Sequence, residues 1–377
     1  MRVEVIGGGP AGLTLAILLK QHDPTHAVRV RERGPRGATW GFGVVFSDRA
    51  LDFLRADAPH LHEVLTPHMQ AWRDLTIVHS DVRIPISGNG FASIGRLELL
   101  GLLQREAERV GVVLEFDCAV EPLDDGDADL IVAADGAFSA TRDAHAQAFG
   151  TQIHSRHNRF VWYGTPCAFD TLTLTFRRHP LGTFCAHHYR YASDRSTFLV
   201  EVDEATYQRA GFETMSEADS LRLCQQVFAA DLLGHPLLSN RSTWRCFPVV
   251  WNARFSSGRT VLLGDALRTV HFSIGSGTRL AMEDAIALAR ALREGDGVDD
   301  ALARFQAARL PPMKKIWDAA NVSLRWYEGM GDLMSLDPHE FAYRYMTRSG
   351  RVDHAEMRRR DPRLAAAYER LHPERFS

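Results

Sequence analysis

Cysteine is scarce: five residues in 377, Cys118, Cys167, Cys185, Cys224 and Cys246, with no C-x-x-C pair and no metal-ligand spacing. An odd, scattered set argues for reduced thiols in a cytoplasmic setting, not for a disulfide framework or a metal site. Each reads best as a small buried apolar residue. Long apolar runs are missing too, so no stretch reaches the length of a membrane span and no membrane partner is expected. Neither repeats nor low-complexity segments occur. Lys and Arg number 44 against 47 Asp and Glu, a formal net charge of −3. That balance excludes a dedicated nucleic-acid binder and leaves any anionic ligand to local arginines and helix ends. No signal peptide is expected, because strand character begins at residue 2. What is present is ordinary for a globular chain, 45% apolar and 24% charged. The length implies one large domain with a second layer or subdomain.

The chain is organised around Val261-Leu262-Leu263-Gly264-Asp265-Ala266 and its continuation to Asp284. This reads as a buried strand, a tight turn, a loop with Gly275 and Gly277, and a helix. Such a turn sets the Asp265 carboxylate at the strand's C-terminal mouth, where ligands bind in doubly wound sheets. The following helix N-terminus suits an anionic group. Two distant motifs point to the same ligand. Arg2 to Ile6 is a short strand followed by Gly7, Gly9 and Gly12 in G-x-G-x-x-G spacing, then a helix to Lys20 and a second strand from Val28 to Glu32. Glycines are needed for the tight turn, for backbone approach to a pyrophosphate and for close helix packing. Glu32, twenty residues past Gly12, stands where an acid bonds a ribose hydroxyl. The third motif is a buried strand from Asp129 ending in Asp135-Gly136, with Ser139 and Arg142 after it.

The order of glycine fingerprint, Asp-Gly-x-x-Ser-x-x-Arg and Gly-Asp strand resembles the single-component FAD-dependent aromatic hydroxylases, over nearly the whole chain. The resemblance implies an α/β fold: a Rossmann-like FAD-binding domain of the para-hydroxybenzoate hydroxylase type, an antiparallel-sheet substrate domain and a helical C-terminus. It implies FAD held by Gly7, Gly9, Gly12, Glu32, Arg33, Arg96, Asp135, Gly264, Asp265, Gly275 and Gly277, with Asp265 at the ribityl chain and Arg96 near the phosphates. The alternative for Arg96, and for Gln104, a weaker candidate, is a solvated helix face. NADH or NADPH is implied as a transient reductant, because no second fingerprint exists to hold it. With O2, a flavin C4a-hydroperoxide then hydroxylates an electron-rich ring.

Trp40 to Asp48, Phe160 to Thr165, Ser196 to Glu201, His271 to Ala285 and the tail from Phe341 to Pro362 are similar to a narrower branch. It contains the salicylyl-CoA 5-hydroxylases and the hydroxylase half of 2-aminobenzoyl-CoA monooxygenase/reductase, with a violacein-pathway hydroxylase more distant. The chain reaches Ser377 without a second flavin barrel, which favours the plain salicylyl-CoA type, converting salicylyl-CoA to gentisyl-CoA. Arg268 stands where the broad family has a histidine, and His271-Phe272 where it has a proline pair. The alternatives are hydroxylation of a free aromatic acid or an indole-type intermediate, and a non-catalytic FAD-binding redox protein. A halogenase is disfavoured by the lack of a Trp-x-Trp-x-x-Pro segment.

Texture along the chain sets the expected boundaries. Residues 1–74, 91–155 and 258–335 read as the FAD-binding domain, 75–90 and 156–257 as the substrate domain, and 336–377 as a helical tail. Ser47-Asp48 caps a helix, Arg96 to Arg109 has helical apolar spacing, and Asp124 to Asp127 is a turn. Aromatic and β-branched runs from Arg159 to Asp203 are antiparallel strands. Pro311-Pro312 is expected to break one helix at Leu310 and start another at Met313. The four glycines of 34–43 are read as backbone approach to a flat ligand, a packed connector being the alternative. His187 and His271 are the candidate catalytic residues, as base or hydroxyl anchor and as polarising group; satisfied structural histidines are the alternative. Phe42, Val45, Trp162, Tyr163, Phe198 and Phe272 are expected to wall the pocket, though aromatic strand residues are commonly plain core. The basic tail, with Arg351, Arg358, Arg359, Arg360 and Arg363, reads as a solvated face in preference to a grip on CoA phosphates. A monomer or homodimer is expected.

Overall fold

The computed structural model describes residues 1–47, 49–119 and 127–376. The cap expected at Asp48 and most of the turn expected at 124–127 lie outside these residues.

Among the described residues, the strands form three sheets. The first runs in the order Ser256–Ser257, Thr260–Leu262, Leu130–Ala133, Arg2–Ile6, Ala27–Arg31, Val113–Glu115. All its pairs are parallel except the first. Every residue of Leu130–Ala133 is buried, as a central strand covered on both faces demands. Helix Pro10–His22 starts on a proline, whose missing N–H costs nothing at that position. It packs Leu13, Leu15, Ala16, Ile17 and Leu19 into the core against the sheet. Helix Gly277–Glu294 contributes Met282, Ala285, Ile286 and Leu288 to the same core.

The second sheet has seven strands, in the order Arg245–Asn252, Thr151–Thr165, Arg195–Val202, Gly182–Ala192, Leu172–His179, Leu75–His79, Val82–Ile86. Only Leu172–His179 with Leu75–His79 is parallel. Its two faces feed different cores. One packs on the helices Glu204–Ala210 and Glu217–Val227 through Tyr163, Ala186, Phe198 and Val200. The other packs on the C-terminal helices through Ile77, Leu174, Phe176 and Cys185, opposite Phe341, Tyr345 and Met357. A small third sheet, Gly43–Ser47, Phe91–Gly95 and Gln70–Trp72, bridges the two.

One sequence expectation fails here. Residues Val298–Glu328 form a single helix with Pro311 and Pro312 inside it. An interior proline costs roughly 3 kcal/mol or more. Burial of Phe305 and Met313 on one face, at about 1.5–3 kcal/mol each, and the ion pairs of Arg309 offset that cost. Tertiary packing therefore carries the helix across the break.

Candidate active site

Parallel register places three turning points side by side. Val3 pairs with Leu130 and Leu262 with Ala133. Gly7, Ala134 and Leu263 thus follow neighbouring strand ends, and the chain turns at Gly7-Gly8-Gly9, Asp135-Gly136 and Gly264-Asp265 around one crevice. Gly7 has φ +108, and a Cβ there meets Ala134 O at 2.3 Å; a Cβ on Gly12 meets Gly7 O at 2.3 Å. Gly9 has nothing within 4 Å of its Cβ position, so its backbone faces open space. Glu32 accepts from Gly8 N at 2.9 Å and Gly34 N at 2.8 Å, which fixes its carboxylate beside the fingerprint.

Beneath Gly264-Asp265 lies a buried ionic network. Asp284 Oδ2 is 2.8 Å from Arg268 Nη1 and accepts from Gly264 N at 3.3 Å; its Oδ1 is 2.9 Å from Arg309 Nη2. Arg268 Nη1 also donates to Gly264 O at 2.8 Å. Arg309 reaches Glu283 as well, which pairs with Arg279. Arg268 is thus a clamp under the turn. Asp265 itself opens into the cleft; poor solvation by the surrounding protein raises its pKa, and Arg268 and Arg96 pull it back.

A cavity of about 800 Å³ runs from these turns across the second sheet. Gly9, Arg96, Gly136, Asp265, Gly275 and Gly277 line its first part. Phe160, Trp162, Leu174, His187, Leu199 and Phe272 line the middle. His187 Nε2 lies 3.4 Å from Glu201 Oε2, and His271 Nε2 lies 4.0 Å from Glu201 Oε1. Asn158 Nδ2 donates to Glu201 Oε1 at 2.8 Å. Burial opposes the Glu201 charge, but His187, His271 and Asn158 together hold its pKa below the usual value. Burial pushes the His271 pKa down to about 4, against the pull of Glu201.

The candidate residues divide as follows. Val45, Trp162, Phe272 and His187 line the cavity. Tyr163 and Phe198 do not, which corrects their expected place in the wall: strand alternation sends both to the opposite face. There Tyr163 Oη meets Ser220 Oγ at 3.1 Å, and Phe198 stacks on His188 with ring centroids 5.0 Å apart. Phe42 packs over Gly164, outside the lining. His271 is buried behind the wall, bonded through Nδ1 to Ser273 Oγ at 2.8 Å. Arg33 is exposed beside Glu32, and Gln104 is buried within its helix; neither lines the cavity. The glycine loop approaches flat partners, but they are protein rings. A Cβ on Gly41 meets Trp162 at 2.9 Å, and one on Gly43 meets Tyr191 at 2.6 Å. Sequence reasoning did not name Glu201 as a functional residue; its signals are a lone acid within the Arg195–Val202 strand and its place at the end of the branch-like segment Ser196 to Glu201.

The donor set fits FAD. Open backbone at Gly9, a carboxylate at Asp265 facing the cleft and the N-terminus of Gly277–Glu294 suit a phosphorylated polyol. Among the described residues, Asp135 Oδ1 is a buried acceptor without a hydrogen-bond partner, which suits a ligand donor. Fold and cleft together define a flavin-binding α/β protein with a separate substrate sheet.

Comparisons narrow this class. A family model described as FAD binding domain matches residues 124–320. The chain is 41% identical to a salicyloyl-CoA 5-hydroxylase of Streptomyces sp, covering 93% of this chain and 70% of that protein. It is 37% identical to a 3-hydroxy-4-methyl-anthranilyl-[aryl-carrier protein] 5-monooxygenase of Streptosporangium sibiricum, over 88% and 91% of the two chains. The crystal structure of a 2-methyl-3-hydroxypyridine-5-carboxylic acid oxygenase mutant superposes with a TM-score of 0.70 at 19% identity, covering 95% of this chain and 98% of that one, and shows the shared fold. The chain belongs to the FAD-dependent aromatic monooxygenases. FAD is its cofactor, and a reduced nicotinamide dinucleotide is the family's reductant. Among the described residues no helix is long and apolar enough to cross a membrane, and no group of side chains could hold a metal ion.

Proposed function

We propose that the substrate is an aromatic acid carried as a CoA thioester, with salicylyl-CoA to gentisyl-CoA as the leading pair. The observation that carries this reading is the shape of the cleft. From the apolar chamber at His187 it continues outward between the 88–90 turn and the Tyr345–Arg360 segment. A free acid fills only the chamber; an acyl group on a long arm occupies both parts. Two relatives are named for aryl groups attached to a carrier, CoA in one and a carrier protein in the other.

The reaction consumes ring C–H, O2, NAD(P)H and a proton, and yields ring C–OH, water and NAD(P)+. FAD supplies the electron transfer and oxygen activation. The chain's residues do the rest. Phe160, Trp162, Leu174, Leu199 and Phe272 exclude water from the ring. His187 accepts the proton of the ring hydroxyl at Nδ1, the ring nitrogen not turned to Glu201, and the Glu201 carboxylate, 3.4 Å from the buried Nε2, stabilises the resulting imidazolium. His271, kept neutral by burial, holds the other side of Glu201. Asp265 and the backbone of Gly264, Gly275 and Gly277 orient the cofactor.

Consumption of NADH and NADPH by the FAD-loaded protein, with and without salicylyl-CoA, tests the proposal alongside mass analysis of the product. Strong stimulation and a product heavier by one oxygen support it. Stimulation by free acids alone refutes it. Asp265→Ala is expected to lower the flavin content of purified protein; undiminished flavin contradicts the role given to that carboxylate.

A further inference from the structure

Three arginines from separate elements meet at the outer end of the cleft. Arg279 lies in the first turn of helix Gly277–Glu294, Arg351 on the link between helices Pro338–Thr347 and His354–Arg360, and Arg360 at the end of the latter. All three line the cavity. Arg279 Nε bonds Glu283 Oε1 at 2.7 Å, and Arg360 Nε bonds Glu356 Oε1 at 2.7 Å. Arg351 has no carboxylate partner among the described residues, and its side chain is exposed.

The other tail arginines behave differently. Arg358 pairs with Glu369, Arg359 with Glu356 and Arg363 with Asp361, and none of the three lines the cavity. The solvated-face reading therefore suits them and not Arg351. The mouth is also held in shape. Ser87 N donates to Asp361 Oδ2 at 2.9 Å, and the turn after it packs against the Arg360 backbone, 3.2 Å from a Cβ built on Gly88. The three side chains share one cavity wall, and partial desolvation there, then repulsion from Arg279 and Arg360, lowers the Arg351 pKa. In a chain of net charge −3, gathering like charges at one opening and leaving one uncompensated is costly without an anion to receive.

We propose that Arg351, flanked by Arg279 and Arg360, forms a phosphate-binding site at the mouth of the cleft. Guanidinium groups suit phosphate through paired N–H donors. The phosphate has two chemical sources: the carrier arm of an acyl-CoA, which rests on the function proposed above, or the pyrophosphate of the nicotinamide reductant, which does not.

The test uses FAD-loaded wild type, Arg351→Ala and Arg351→Lys. Inorganic pyrophosphate is expected to raise the melting temperature of wild type and to leave Arg351→Ala unmoved, with Arg351→Lys between; this readout needs no substrate. For the source, KM is compared for salicylyl-CoA, for a phosphate-free salicylyl thioester of N-acetylcysteamine, and for NADH. Loss of one charge-assisted contact is expected to raise KM roughly tenfold, with kcat little changed. A rise for salicylyl-CoA but not for the short thioester assigns the carrier phosphate; a rise for NADH assigns the reductant. Equal pyrophosphate stabilisation of wild type and Arg351→Ala, or a KM increase as large for the short thioester, overturns the site. If salicylyl-CoA fails to stimulate turnover, the pyrophosphate and NADH arms still decide it.

Discussion

Glu201 is a carboxylate only 1% exposed, held between two imidazoles and one amide. A buried charge persists only where partners compensate its desolvation. Glu201→Gln keeps the size and removes the charge. Hydroxylation is expected to fall roughly 100-fold, the scale of lost proton-transfer assistance, with flavin content unchanged. A variant forming product at the wild-type rate sinks the proposed relay. His271 gives a pH prediction. Burial sets its folded pKa at about 4, against roughly 6.5 in the unfolded chain. Between these values the unfolded state binds a proton that the folded state refuses. Stability is therefore full above about pH 6.5 and declines as pH falls toward 4, by about 3 kcal/mol in total. His188, pushed down for the same reason of burial, adds to the same slope. Urea unfolding across this window should show a shallower decline for His271→Gln than for wild type; identical slopes contradict the argument.

At the level of elements, the Gly264-Asp265 turn is shaped by the ions underneath it. Asp284 neutralises both Arg268 and Arg309, and all three are buried. Asp284→Asn removes the salt-bridge partner of buried Arg268, while Arg309 keeps Glu283, a cost of about 3–5 kcal/mol. A clearly lower melting temperature and weaker FAD retention are expected; a variant melting with wild type shows the network to be dispensable. The same network anchors Val298–Glu328 at Arg309, just before the two prolines. Local propensity argued for a break there, and it lost to packing on both sides. By contrast, Arg96–Arg109 was readable to the residue, because its apolar spacing and its environment agree.

Across the whole molecule, the second sheet is covered on both faces, and the C-terminal helices cover the one that carries His187. Phe341, Tyr345, Met357 and Tyr368 pack on Ile77, Leu174 and Phe176. Ending the chain at Leu336 uncovers this face. The shortened protein is expected to aggregate on expression, as large exposed apolar patches do; a soluble fragment that retains FAD refutes this. The tail also completes the cleft, so the chamber and its mouth depend on segments far apart in the chain.

The sequence alone determined the glycine and Gly-Asp turns and the parallel first sheet, and its resemblance to a known family carried the flavoprotein class. Their requirements are local: a positive φ at Gly7, no room for a Cβ at Gly12, an acid at a set distance along the chain. Strand alternation sets the neighbours His187 and His188 on opposite faces, but does not say which of the two faces the cleft. Only the tertiary structure decided that Tyr163 and Phe198 lie in the core behind the wall, that Glu201 joins His187 and His271, and that Arg351 meets Arg279 and Arg360. Those outcomes depend on which sheet face the C-terminal helices cover and on contacts between distant segments, and neither period nor composition encodes them.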